Sequence, residues 1–520
     1  MPTYLSPGVY MEEVSSGSKP IEGAGTALAA FVGFAENGPV NDPVLVTNWE
    51  QFVATFGGPV DGGYLAHSVY GYFLNGGGSA YVVRVGADGS AEVKSGKALD
   101  NGTVPAARAE LPVAGSGKPI VVRALEAGSA GNAVRVEVRD ASEPGPDVFK
   151  LVVSKDDQEE VYDNVTTKRG QSNVLTAVKQ SKLIALEEVR GDDAKTGTLT
   201  APVKGEVLLS GGADPAPRRI SPEDYVGDAA DRTGFSGLEA IDDVTMVCVP
   251  DLMAAYESKM IDDDGLKAVQ LAMIAHCELM ADRVAILDPP PNLRPQRMKE
   301  WRNDIAGYDS KYATVYWPWV KVMDPRSGKP VFIPPSGHIA GVWARNDSTR
   351  GVYKAPANEV VRGVIDLQSG LTRGEHDQLN PIGVNCIRTF PGQGIRVWGA
   401  RTLSSDPEWR YLNVRRLFNF VEKSILTSTN WVVFEPNDRF LWDSVRRTIE
   451  AFLRRIWRSG ALFGESPAQA FFVKCDADNN PEENRDAGIL TIDIGIAPVK
   501  PAEFVVFRLS QFSEGAELAE

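Results

Sequence analysis

The chain has 520 residues, too many for one compact core and enough for about three domains. Its composition, 43% hydrophobic and 24% charged with 50 Gly and 34 Pro, excludes a disordered or fibrous chain and favours a β-rich or mixed fold over a helical bundle. A net charge of −15 excludes general binding to nucleic acid or to an anionic lipid surface.

Residues 1–20 read as an arm. Pro2, Pro7, Gly8, Gly17 and Pro20 exclude a helix, while Gly8, Val9, Tyr10, Met11, Glu12, Glu13 and Val14 can extend. A short strand isolated in this way must pair with some sheet edge. Residues 26–90 read as a small α/β unit, with a strand over 26–33, helices over 49–56 and 64–74, and a strand over 80–85. Residues 91–215 lose aromatics, and the alternating runs 119–124, 133–138 and 148–153 predict a β-rich inserted domain. The stretches 156–161 and 192–197 are expected to be exposed loops. After 216 the α/β pattern returns. A buried strand spans 243–250, and a helix over 265–282 carries Leu266, Val269, Leu271, Met273, Ile274 and Leu279. A strand over 283–287 stops at Pro289-Pro-Pro291, a helix lies within 292–306, and a strand covers 313–317. Strand, helix and strand in succession predict parallel pairing with right-handed crossovers. A helix over 411–426 follows, then one capped by Asn437 or Asp438 and stopped by Gly460. Strands are expected over 471–474 and 488–496. Glu503, Phe504, Val505, Val506, Phe507, Arg508 and Leu509 form a last extended segment beyond Pro498 and Pro501.

The residues of catalysis do not assemble into a motif. Cys248, Cys277, Cys386 and Cys475 are far apart, which points to buried free thiols in a reducing compartment. His67, His276, His338 and His376 form neither an H-E-x-x-H pair nor an i, i+4 pair. His276 reads as a core histidine, and His338 as a structural one between Gly337 and a strand. Gly117-Lys118 and Gly328-Lys329 lack the rest of a phosphate loop. Asp476-Ala-Asp-Asn-Asn480 opens like a calcium loop, but Pro481 stands where Gly is needed and Ala487 where the bidentate Glu belongs, so a solvated turn is expected. No cofactor, metal or catalytic set is expected. The start of the chain lacks the features of a signal peptide and no apolar run is long enough to span a membrane, which points to synthesis in the cytoplasm.

Several stretches in this order resemble the contractile tail sheath family of phage tails and phage tail-like injection systems. They are Tyr4-Leu-Ser-Pro-Gly-Val-Tyr-Met-Glu-Glu13, Phe31-Val-Gly-Phe-Ala-Glu-Asn-Gly-Pro39, Pro334-Pro-Ser-Gly-His-Ile-Ala-Gly-Val-Trp-Ala-Arg345 and Arg350-Gly-Val-Tyr-Lys-Ala-Pro-Ala-Asn358. Ile387-Arg-Thr-Phe-Pro-Gly-Gln-Gly-Ile-Arg-Val-Trp-Gly-Ala-Arg401, Asn413-Val-Arg-Arg-Leu-Phe418, the block from Phe434 to Trp457, and Ala497-Pro-Val-Lys-Pro-Ala-Glu-Phe504 complete the pattern.

The resemblance implies a multidomain α/β (mixed α+β) tail-sheath fold, with mixed sheets flanked by helices and two extended arms. Its parts would be an arm over 1–20, a core over 21–90 and 216–500, an outward-facing insertion over 91–215, and an arm over 501–520, with 380–500 facing an inner tube. It implies a homo-oligomer of six-fold rings in a helical stack. The partners would be an inner tube protein and, at the ends, baseplate and cap proteins, with no direct nucleic-acid contact and no membrane insertion. The particle would be a phage tail or a released tail-like device. The two extended segments, Gly8 to Val14 and Glu503 to Leu509, would join sheets of neighbouring subunits, with flexible flanks at Gly17/Pro20 and Pro498/Pro501. Residues 410–458 hold ten Lys/Arg against five Asp/Glu, whereas 459–520 hold four against eleven. In the helix 440–459, Leu441, Val445, Ile449, Phe452 and Ile456 share one face, and Arg447, Arg454 and Arg458 lie opposite, as a candidate contact to an acidic tube. Two other classes fit the composition: an α/β enzyme with a dispersed active site, and a non-contractile coat or tube protein, which the length disfavours.

Overall fold

A computed structural model of the chain describes residues 20–508 apart from 61, 87–105, 114–118, 128, 144, 156–157, 169, 171, 189–199 and 212–219. The arm segment Gly8 to Val14, Leu509 and the expected loop 192–197 lie outside the described residues. The chain divides into two compact units, Met1–Gly86 with Ile220–Glu520, and Ala87–Arg219. Two units replace the three expected from length, because one large sheet in the first unit gathers strands from residues 29 to 397.

That sheet has nine strands, in the order Glu359–Val360, Gly394–Val397, Val384–Phe390, Ala313–Trp317, Val284–Leu287, Met246–Cys248, Ala29–Gly33, Ala80–Arg84 and Val44–Val46. The six strands from Val384–Phe390 to Ala80–Arg84 are parallel, and the flanking ones antiparallel. Parallel strands must be covered on both faces, and their residues divide accordingly. Ala30, Val32, Val247, Ala285, Leu287 and Val315 enter one core, with Leu266, Val269 and Met273 of the helix Asp263–Met280. Ala29, Phe31, Met246, Val284, Ile286 and Tyr316 enter a second, under the helices Leu65–Asn75 and Ser336–Arg350. Those two helices approach closely through Gly337 and Gly341, where a Cβ would strike the backbone of Ser68 and Tyr72. A third core joins the helices Leu412–Ser428 and Arg439–Arg458 to the hairpin of Phe471–Lys474 and Asp493–Ile496.

The second unit packs one core between two antiparallel sheets. Ala106–Glu110, Ile120–Ala127 and Ile184–Glu188 form one sheet, and Gly205–Leu208, Arg135–Asp140, Val148–Lys155 and Gln158–Thr166 the other. Val122, Val136, Leu151 and Val153 fill the core.

Four local expectations change. Residues 158–161, expected in a loop, belong to the strand Gln158–Thr166, whose exposed side chains are mostly polar while its backbone pairs with Val148–Lys155. Leu271 and Leu279 are exposed, because they lie opposite Leu266 and Met273 on their helix. His338 lies inside the helix Ser336–Arg350, not between a glycine and a strand. The last hairpin strand is only Asp493–Ile496, because the short helix Glu482–Asp486 and a turn with Gly488 at positive φ precede it.

Candidate assembly interface

The sequence points to the chain ends and to one basic helix as functional, and the structure describes the C-terminal end and the helix. After Asp493–Ile496 the chain stays attached to its own subunit. Ala497 N–H donates to Ala470 O at 2.8 Å, Val499 N–H to Ala461 O at 3.1 Å, and Asn413 Nδ2 to Val499 O at 3.1 Å. Pro498 bridges to Leu462. Pro498 is therefore not the flexible flank expected.

Glu503 is the next fixed point. Its Oε1 accepts from Arg401 Nε at 2.9 Å and from Asn380 Nδ2 at 2.7 Å. Its Oε2 accepts from Arg401 Nη2 at 2.6 Å and from the Tyr411 hydroxyl at 3.1 Å. Burial opposes ionisation of this carboxyl, but the bonds from Arg401 and Asn380 and the Arg401 charge outweigh it and hold its pKa below the usual carboxylate range. The sequence expects Glu503 at the start of an exchanged strand, and in the single subunit its side chain is bound by Arg401, whose planar fork matches a carboxylate.

Beyond Glu503 the surroundings change abruptly. Phe504, Val505, Val506 and Phe507 are 73%, 69%, 77% and 84% exposed. Residues 504–508 belong to no strand of their own subunit, and their backbone has no hydrogen-bond partner among the described residues. Four consecutive large apolar side chains in water are unfavourable in an isolated subunit.

The hairpin of Phe471–Lys474 and Asp493–Ile496 has the complementary property. Phe471 pairs with Ile496 and Lys474 with Asp493, and no further strand joins either edge among the described residues. Phe471 is buried, whereas Phe472 is 60% exposed and covers Gly495. A two-stranded sheet is marginal by itself and offers two rows of unpaired backbone groups.

The helix Arg439–Arg458 packs beside this hairpin. Asp438 caps it by accepting from Leu441 N–H at 2.9 Å, while Asn437 instead binds Trp442 Nε1 and Ile489 O. Leu441, Val445, Ile449 and Phe452 are buried, and Ile456 half-buried. Arg447, Arg454 and Arg458 are exposed. Arg447 Nε donates to Asp443 O within its own helix at 3.1 Å. None of the three pairs with a carboxylate among the described residues. The structure thus places the three arginines on one solvent-facing side.

The remaining reactive side chains are buried. His276 lies 3.3 Å from Arg283 Nη1, and burial with the Arg283 charge pushes its pKa down to about 4. Burial does the same to His338. The four cysteines are free and buried, and burial raises each thiol. Among the described residues no group of three or more His, Cys, Asp or Glu is placed to hold a metal ion, and no helix is long and apolar enough to cross a membrane.

The sequence alone missed the clamp partners Arg401, Asn380 and Tyr411, and the open hairpin. Arg401 ends one of the quoted motifs, but its partner lies 102 residues further on. Only the fold shows that they meet.

Comparison with known proteins supplies the family. The phage tail sheath protein central domain matches residues 222–403 and the phage tail sheath C-terminal domain matches 404–512, together more than half of the chain. The tail sheath protein of Vibrio phage KVP40 is 29% identical over 221 residues, covering 42% of this chain and 32% of that one. The chain spans about a third of the length of this relative and of the Salmonella phage ViI tail sheath protein. The tail sheath protein of Burkholderia phage BcepMu is 23% identical across 98% of this chain and 97% of its own. The same fold is found in the helical sheath of the anti-feeding prophage in its contracted state, with a TM-score of 0.58 and 23% identity over 98% of this chain and all of that one. The sheath complex of the extracellular contractile injection system PVC, also contracted, has a TM-score of 0.56 and 22% identity over 99% of both chains. The chain belongs to the phage tail sheath family.

Proposed function

We propose that this member of the tail sheath family is the subunit of a contractile sheath. It polymerises as stacked six-fold rings around an inner tube, and the stack shortens to drive the tube through a target membrane. One observation supports this best: among the described residues, an exposed apolar run, Phe504 to Phe507, belongs to no sheet, and a two-stranded sheet has no further strand on either edge. The C-terminal strand, Phe504 to Leu509, and the N-terminal strand, Gly8 to Val14, each add to a hairpin edge of an adjacent subunit by β-augmentation. A contact that runs from one subunit to the next and does not close builds an open helix.

A strand of this length makes about five or six backbone hydrogen bonds at ~0.5–1.5 kcal/mol each. Ordering its backbone costs about 1–2 kcal/mol per residue, which cancels that gain. The sign is therefore set by burying Phe504, Val505, Val506 and Phe507, at about 1.5–3 kcal/mol each. Contraction is then the cooperative release of a kinetically trapped lattice and needs no nucleotide. Arg447, Arg454 and Arg458 face an acidic inner tube, and such exposed pairs, each worth ~0–1 kcal/mol, hold it and let it slide. Baseplate and cap proteins close the two ends.

Deleting residues 1–14 of the full chain tests the exchange. Monomers or loose rings on electron micrographs are expected, and intact long sheaths would refute it. Replacing Arg447, Arg454 and Arg458 together by Glu tests the tube contact. Rings should persist while co-assembly with the tube is lost, and unchanged tube-filled particles would overturn that assignment.

A further inference from the structure

We infer that Glu503 is the positioning residue of the exchanged C-terminal strand, pinning its first residue to the large sheet and confining its freedom to the residues that follow. The inference rests on the strand-exchange proposal and adds where the strand is anchored.

The geometry carries it. Glu503 makes four hydrogen bonds to three residues of its own subunit, two of them from the Arg401 fork. Arg401 is itself buried and rigidly held. Its backbone N–H donates to Asn385 Oδ1 at 2.7 Å, and its carbonyl accepts from Asn385 Nδ2 at 2.8 Å and from Thr314 Oγ1 at 2.9 Å. Asn385 and Thr314 lie in neighbouring central strands of the nine-stranded sheet. A pull on the strand therefore passes through one ion pair into the nine-stranded sheet. One residue later, Phe504 is 73% exposed, so the boundary between held and free chain is a single peptide.

The position of that boundary has a consequence for reach. Six extended residues, 504–509, span about 20 Å, so the receiving edge must begin close to Glu503 of the donor. Without the clamp the last fixed point recedes to Val499, which is held by Ala461 and Asn413. Four more residues become tether, and the effective concentration of the strand at its edge falls as roughly the −3/2 power of length, about two-fold per link.

The test uses the full-length chain in three forms besides wild type: Glu503→Ala, Glu503→Gln and a deletion of 504–520. Thermal melting of the isolated subunit and the critical concentration for sheath assembly by pelleting are both measured. Glu503→Ala leaves the buried Arg401 without its counter-ion and lowers the melting temperature of the subunit, and at a temperature where the variant subunit is fully folded it is still expected to raise the critical concentration about two-fold or more. Glu503→Gln, which keeps one acceptor for Arg401, should fall between Ala and wild type, and the deletion should abolish pelleting. If the deletion still assembles at the wild-type concentration, the strand-exchange proposal itself is wrong. If the deletion abolishes assembly but Glu503→Ala matches wild type, exchange stands and the positioning role is refuted. An Ala variant that assembles poorly only because its subunit melts lower would also overturn the role.

Discussion

Arg416 and Asp347 provide the sharpest energetic test of how the C-terminal layer is joined to the large sheet. Arg416 Nη1 and Nη2 donate to Asp347 Oδ1 and Oδ2 at 2.9 and 2.6 Å, and both side chains are 4% exposed. Arg416 Nη2 also donates to Thr26 O at 2.9 Å, and the guanidinium stacks 4.7 Å from the Trp343 ring. The pair thus ties the helix Leu412–Ser428 to the helix Ser336–Arg350 and to the approach of the strand Ala29–Gly33. Asp347→Asn leaves the arginine charge buried without its counter-ion, which costs about 3–5 kcal/mol. For the larger unit, about 390 residues, an unfolding entropy of ~2.1 cal/mol/K per residue turns this into a fall of about 4–6 °C in its calorimetric transition. Replacing both partners, Asp347→Leu with Arg416→Met, removes the stranded charge and should restore most of that loss. A shift below about 1 °C for the single variant, or a double variant worse than the single, would refute the argument.

Asp288 sets a pH dependence of defined sign. It is fully buried, Ser336 N–H and Oγ–H donate to it at 3.0 and 2.6 Å, and burial pushes its pKa up to about 7. Its folded value exceeds its unfolded one, so the folded state binds the extra proton and this group adds stability as pH falls from 7 towards 4. Asp288→Asn mimics the protonated acid. The stability of wild type relative to this variant should rise by on the order of 4 kcal/mol between pH 8 and pH 4, read by denaturant titration at each pH. A constant difference would sink the assignment. The difference is the quantity to follow, since His276 and His338, pushed down to about 4, lose stability over the same acid range. Gly341→Ala tests the close helix contact: its Cβ would meet Tyr72 O and Asn75 Cβ, so a loss of about 1–3 kcal/mol is expected, and an unchanged melting temperature would disprove the packing.

The parts of the molecule that were legible in the sequence are those governed by local periodicity. The helix Trp49–Phe56 and the strands Ala313–Trp317 and Phe471–Lys474 appear with the expected bounds, because capping, punctuation by Gly and Pro, and apolar spacing act within a few residues. The amphipathic helix Arg439–Arg458, with its three exposed arginines, was legible for the same reason. His338 was misplaced because the helix Ser336–Arg350 is buried on most sides and shows no strong apolar stripe. The strand Gln158–Thr166 was missed because its backbone ladder tolerates a polar outward face.

By itself, then, the sequence determined most of the element types, the family likeness and the run of apolar residues Phe504 to Phe507. Tertiary structure decided where the chain stops being held by its own subunit. Arg401 and Tyr411 are distant from Glu503 in sequence, and only the fold brings a sheet-anchored guanidinium and a hydroxyl onto this half-buried carboxylate, so that residue 503 is held while residue 504 is exposed. The physical reason is that periodicity reports which face of an element is buried, while a charged clamp depends on which elements the fold brings within hydrogen-bond distance.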